Sequence, residues 1–427
     1  MKRYLILLLL LISYTGFGQQ TPASAQKEAI SITGVTAHIG DGTLIENATI
    51  VFENGKITAI GNASTTTKGT VINASGKHVY PGFIVACSSL GLVEVDAVKA
   101  TKDFDEIGDM IPHIRSIIAY NAESKVVESI RPNGILLAQV SPKGGRISGT
   151  SSVVQLDAWN WEDAAIKTDD AIHLNWPSSF SRGRWWLGES SAYKPSKNYQ
   201  KQIASVTSFL QNSAAYNKST SKELNQAFAS MKGLFNGSQK LYVYANGERE
   251  IIDAISTAKE ANIANIVLVG AYEAHKITDF LKENNIAVLV RAAHSLPNAD
   301  DDDYDMPYKL PKLLMEAGLT VGLQNRNAMN FQVRNLPFYA GQVAGQGLDK
   351  EKALQMITSN TAKILGIDAN YGTLTVGKSA TLFISEGDAL DMRTNILSHA
   401  FIDGRSLSLE THQTKLWKRY MGKYNGK

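Results

Sequence analysis

Eight short apolar runs constrain this chain more than any other feature. They are Phe83–Cys87, Ile135–Val140, Ser152–Leu156, Ala171–Asn175, Leu241–Ala245, Asn265–Val269, Ala287–Arg291 and Thr320–Gln324. Each has strand length, and several are separated by stretches with apolar residues at three- and four-residue spacing, the mark of a helix. Such alternation argues for βα units and a parallel sheet. Eight such units in about 290 residues predict an α/β (β/α)8 TIM barrel over residues 81–369.

The predicted helices are clearest late in the chain, at Arg249–Asn262, Glu273–Asn284 and Asp349–Leu365, the last stopped by Gly366. Residues 157–239 are long for one βα unit. Their early part, NWPSSFSRGRWWLGESSAYKPSKNY, is rich in aromatics, Arg and Ser and reads as an elaborated insertion over the barrel mouth. The two ends of the chain are β-rich and punctuated by turn dipeptides: Gly40-Asp41-Gly42, Asn54-Gly55 and Asp403-Gly404. Residues 28–80 and 370–410 are therefore expected to build one small β-sandwich together.

Charge narrows the partners. A formal net charge of +3 in 427 residues carries no signature of nucleic-acid binding. Residues 1–18 have Lys2 and Arg3, then an apolar run from Tyr4 to Ile12, then Gly16 and Gly18. This is the pattern of a secretory signal peptide, and the expected location is exported, periplasmic or secreted. The apolar run is shorter than the ~20 residues of a spanning helix, and no later segment spans a membrane. Cys87 is the only cysteine, so no internal disulfide framework exists.

The first barrel run lies in VYPGFIVACSS, Val79 to Ser89. It resembles the opening barrel strand of the amidohydrolase superfamily, P-G-[FL]-I-D-x-H-x-H. GVTAHIGDGTLIENATIVFENGKITAIG resembles that family's first sandwich strands. IRPNGILLAQVSPKGGRISGTSSVVQL is similar to its imidazolonepropionase-like branch, and ALQMITSNTAKILGI with YGTLTVGKSATLFI to its closing phrase. The resemblance implies a metal-dependent hydrolase of C–N bonds other than peptide bonds. The ligand positions it implies are substituted. The first-strand Asp and two His fall at Val85, Cys87 and Ser89, and the fourth-strand position at His173. The fifth- and sixth-strand His fall at Tyr244 and Gly270, and the eighth-strand Asp near Arg326. A catalytic zinc needs about three protein ligands and an open position for water. None of the eight histidines forms an H-x-H or H-E-x-x-H pair. No metal ligand is assigned, and the family's usual Zn is expected to be absent.

Barrel sites form at the carboxyl ends of the strands. His294 and Cys87 are the candidates for a catalytic group, as a proton shuttle and a thiol nucleophile. Ser89, His173, Tyr244, Arg291 and Arg326 are the candidates for substrate binding, the two arginines as a carboxylate site. The Asp300–Asp303 run and Trp185-Trp186 have binding readings besides the plainer ones of a solvated loop and a packed insertion. Two functions remain open: a hydrolase of this family, or a non-catalytic relative. The second would be a ligand-binding barrel or a partner subunit of an active amidohydrolase. The expected partners are a small molecule and a homo- or hetero-oligomer.

Overall fold

The first five strands are β1 (Ile30–His38), β2 (Leu44–Glu53), β3 (Lys56–Gly61), β4 (Thr70–Asn73) and β5 (His78–Pro81). They belong to a computed structural model that describes residues 21–424 apart from 191, 221–222, 292, 299–300 and 327–328. The proposed signal peptide, and Asp300, lie outside the described residues. Asn54 and Gly55 both take positive φ, 51° and 76°. That pair is what a two-residue hairpin matching strand twist requires, and it joins β2 to β3. β2 covers one edge of β1, while β4 and β5 share the other.

The barrel strands follow. They are β6 (Phe83–Ser88), β7 (Ile135–Val140), β8 (Ile147–Gln155) and β9 (Ala165–Asn175). After a two-stranded ribbon, β10 (Phe180–Ser181) with β11 (Lys194–Pro195), come β12 (Lys240–Ala245), β13 (Ile266–Gly270), β14 (Ala287–Arg291) and β15 (Val321–Gln324). All eight apolar runs of the sequence lie in this closed barrel, ordered β12-β13-β14-β15-β6-β7-β8-β9. One strand departs from the expected parallel sheet: β8 runs antiparallel to both β7 and β9. Only residues 141–146 separate β7 from β8, and Gly144 and Gly145 turn them with φ of 83° and 55°. A parallel return needs a crossover of a dozen or more residues, so this link can only reverse the chain. The reversal places Ser148 at the mouth and Gln155 at the floor.

The chain then returns to the sheet through β16 (Leu382–Ser385), β17 (Leu397–Ile402) and β18 (Arg405–Ser406), giving the order β18-β17-β16-β5-β1-β2-β3 with β4 beside β1. The path from β2 to β17 has four steps, about 19 Å along a flat sheet. Yet the rings of Phe52 and Phe401 meet edge-on at 5.0 Å. The sheet therefore curls over itself, and Ile32, Ile50, Phe52, Leu382 and Phe401 form one core from both ends of the chain.

Inside the barrel Ile84, Leu137, Tyr242, Val267 and Leu289 pack against one another. Glu248–Glu260 is helical as expected. Glu273–Asn284 instead has a single turn at Ala274–Lys276 and a helix at Thr278–Glu283. The helix expected over Asp349–Leu365 breaks into Lys350–Gln355 and Ser359–Leu365. The break frees the Met356 and Ile357 carbonyls, which accept from Leu323 N of β15 (3.2 Å) and Ile84 N of β6 (2.9 Å). Tertiary hydrogen bonds win there over continued helix. No helix among the described residues is long and apolar enough to cross a membrane.

Candidate active site

Four side chains meet at the carboxyl ends of the barrel strands: Cys87 on β6, His173 on β9, Tyr244 on β12 and Arg326 just past β15. The Tyr244 hydroxyl is 2.7 Å from His173 Nδ1 and within hydrogen-bonding reach of the Cys87 thiol. The Arg326 guanidinium stacks on the Tyr244 ring, Cζ 3.8 Å from its centroid, a close cation–π contact. Tyr244 therefore ties the group together.

Arg326 is buried, and its acceptors are all neutral. Nη1 donates to Pro142 O at 2.9 Å; Nη2 donates to Asn175 Oδ1 at 3.1 Å and Ser148 Oγ at 3.4 Å. Its backbone N–H is taken by Gln324 Oε1 at 2.6 Å. No carboxylate of the described residues pairs with it. Burial first, then the Arg326 charge, holds His173 well below its usual range, so it is a neutral imidazole. Its Nε2 is buried without a partner. Lys143, behind the same turn as Pro142, is pulled down to about 8 by burial and then by Arg326.

Above the cluster lies a cavity of about 190 Å³ lined by Asn175, Tyr244, Asn246, Gly270, Arg291, Gln324 and Arg326, among others. Arg291, at the end of β14, is exposed and has no hydrogen-bond or ion-pair partner among the described residues. Arg291 and Arg326 thus face one cavity, one at the rim and one at the floor.

Residues 309–411, from the helix before β15 through the return to the curled sheet, match the amidohydrolase family model. This segment is similar to the amidohydrolase family. No curated protein matches the chain by sequence. Among solved structures it is similar to an amidohydrolase from Thermotoga maritima MSB8, 19% identical, TM-score 0.77, over 89% of this chain and 99% of that one. Molinate hydrolase is 14% identical, TM-score 0.55, over 90% of this chain and 95% of that one. A. niger ochratoxinase is 12% identical, TM-score 0.55, over 90% and 96%. At these identities the likeness is one of fold.

In this barrel the donors do not fit a catalytic zinc. Among the described residues no three His, Cys, Asp or Glu side chains converge as a ligand set. His173 offers one free nitrogen, and a fixed guanidinium lies beside it. The sixth-strand position is closed as well. Gly270 has φ of 98°, and a Cβ there would sit 2.6 Å from Asn246 Oδ1, so a ligating side chain would be strained there.

The two catalytic candidates, Cys87 and His294, both sit off the cavity lining. Cys87 has positive φ, 50°, at a bulge between β6 and β7. It is fully buried, and Sγ lies 3.6 Å from Gln139 Oε1. Burial pushes its thiol up to about 12, against the pull of Tyr244 and Arg326, so the thiolate a nucleophile needs does not form near neutral pH. His294 is exposed, touches the Tyr308 ring at 6.4 Å and does not line the cavity. Ser89 is buried beside β6, also off the cavity. Among the Asp run, Asp302 accepts from Tyr272 (2.8 Å) and Asp303 pairs with Lys309 (3.1 Å), so these two serve the loop itself. Trp186 is exposed and lines no part of the cavity. The sequence reading missed Asn175, Ser148 and Lys143. Ser148 reaches the mouth only because β8 is reversed. The Pro142–Arg146 run, with its Gly-Gly pair, was the signal for that turn.

Proposed function

We propose that this protein is an exported, non-catalytic amidohydrolase-fold barrel that binds a small carboxylate-bearing molecule at its mouth. The observation that carries this reading is Arg326. It is a buried cation with only neutral acceptors, at the floor of a cavity, in the region where the family's metal chemistry would lie. A buried charge is normally paired, and a guanidinium matches a carboxylate in a two-point hydrogen bond. Arg291, with no ion-pair partner among the described residues, supplies a second guanidinium at the rim. The cavity is smaller than the roughly 300–1,000 Å³ of drug-sized sites, which favours a short ligand. Export rests on residues 1–18 alone.

The test joins metal analysis to calorimetry of the purified protein. Acetate, succinate and N-acetylglycine are the probes. The expected result is substoichiometric Zn and Mn, and carboxylate binding weakened at least ~10-fold in Arg326→Met, the value of a lost charge-assisted hydrogen bond. Stoichiometric Zn, lost on chelation together with hydrolysis of an N-acyl substrate, sinks the proposal.

A further inference from the structure

The helix His412–Tyr424 has no buried residue, although it is well formed over 13 residues. Its N-terminal end is capped by Thr411 and Thr414 and meets the Lys125–Ile130 helix through His412 N to Glu128 Oε1 at 2.7 Å. An isolated helix of ~12–15 residues is marginal in water, so one with no buried residue calls for a surface to rest on. Its composition is partitioned by face. At 3.6 residues per turn, Leu416, Tyr420, Tyr424, Trp417 and Met421 fall within an arc of about 140°. Trp417, Tyr420 and Tyr424 are more than half exposed, at 62%, 52% and 75%. Lys415, Lys418, Arg419 and Lys423 fill the opposite arc, and the helix contains no acid. Among the described residues only Glu410, outside it, pairs with these cations, at 2.9 Å from Lys418 and 3.9 Å from Lys415. Arg419 and Lys423 lie against the rings of Tyr420 and Tyr424, at 5.9 and 5.5 Å, so the cations border the aromatic face.

We infer that this helix lies flat on an anionic lipid surface, with Trp417 and the two tyrosines at the headgroup level and the lysines and arginine among the headgroups. Charge complementarity selects this occupant. Tyrosine and tryptophan favour the membrane interface, and cations favour acidic headgroups. A second copy of the helix would bring four more cations against these four. The protein would then rest on a membrane without spanning it.

Flotation of the full chain with vesicles tests this, using phosphatidylcholine alone or with about one-third phosphatidylglycerol. Binding should be at least ~10-fold stronger to the anionic vesicles. It should fall at least ~10-fold in the double variant Trp417→Ala/Tyr420→Ala, and the preference should vanish in Lys418→Glu/Arg419→Glu. All forms share residues 1–20, so the differences report the helix. The substituted side chains are exposed, so the melting temperature of each variant should match wild type. Equal flotation of wild type and variants overturns the proposal. So does concentration-dependent dimerisation that Trp417→Ala abolishes, which would assign the face to a second copy.

Discussion

Two buried arginines in this molecule are treated in opposite ways. Arg131 is paired with Asp157 Oδ1 at 2.6 Å, and the other oxygen of that carboxylate takes Arg405 at 2.9 Å and the Ala23 amide at 2.8 Å. The Asp157 charge is fully used, and the triad fastens barrel, curled sheet and leading segment together. Arg326 is equally buried but pairs with no carboxylate among the described residues. The first site is closed and structural. The second has an unmet charge beside a cavity, which is the condition for taking an anion from solution.

The sharpest way to break this contrast is to measure what each charge is worth to the fold. Asp157→Asn leaves two guanidinium groups without their counter-ion and should cost about 3–5 kcal/mol in urea unfolding. Arg326→Met gives up neutral hydrogen bonds but also relieves an unpaired buried charge, so its cost should stay under about 2 kcal/mol. Equal losses would mean that Arg326 is a structural residue after all.

A second test concerns the charge around Arg326. Lys143, pulled down to about 8 by burial and by Arg326, is cationic below that value and neutral above it. A bound carboxylate favours the protonated amine, so affinity should be greatest below pH 8 and fall severalfold as pH rises through it. Lys143→Met should flatten the profile over pH 7–9. A profile unchanged by that substitution would separate Lys143 from the site.

Below the mouth lies a third buried charge, Asp170, which accepts from Gln139 Nε2 and Ser151 Oγ, both at 2.7 Å. Burial nevertheless raises its pKa. The folded state thus holds a proton that the unfolded chain releases at the ordinary carboxylate value. Between that value and the raised one, the unfolded state binds fewer protons, so stability falls as pH rises. Asp170→Asn should remove this slope in denaturation curves from pH 4 upward. A wild-type slope of the opposite sign would show that the two hydrogen bonds outweigh desolvation.

The barrel was legible because strand-length apolar runs survive as a pattern whatever the tertiary contacts. Phe83–Cys87 and Ala287–Arg291 lie where their composition placed them. The direction of β8 was not legible from its own residues. It depends on the shortness of the 141–146 link, and with it went the position of Ser148. The helix break at Met356–Thr358 was hidden because its cause is two strand amides, Ile84 and Leu323, distant in sequence. Of the site, Tyr244 and Arg326 could be named by resemblance. What they do there was not readable, since the significance of Arg326 is the lack of a carboxylate around it, a property of the assembled barrel.

The smallest effect is expected at Cys87, and it bears on whether the mouth holds chemistry or only a binding surface. The thiol is fully buried, and burial pushes it up to about 12. In the native protein at pH 8 it should therefore resist iodoacetamide and react only at the rate of unfolding, while in denaturant it should react as an ordinary thiol. Cys87→Ser replaces a thiol that contacts Gln139 and Tyr244 with a hydroxyl that can do the same, and carboxylate affinity should change less than about twofold. Rapid native alkylation that also blocks turnover of any substrate would return the thiol mechanism to consideration. Slow alkylation with unchanged affinity would leave Arg326 as the group on which the mouth depends, since Cys87 would then be shown to support Tyr244 from behind without meeting the ligand.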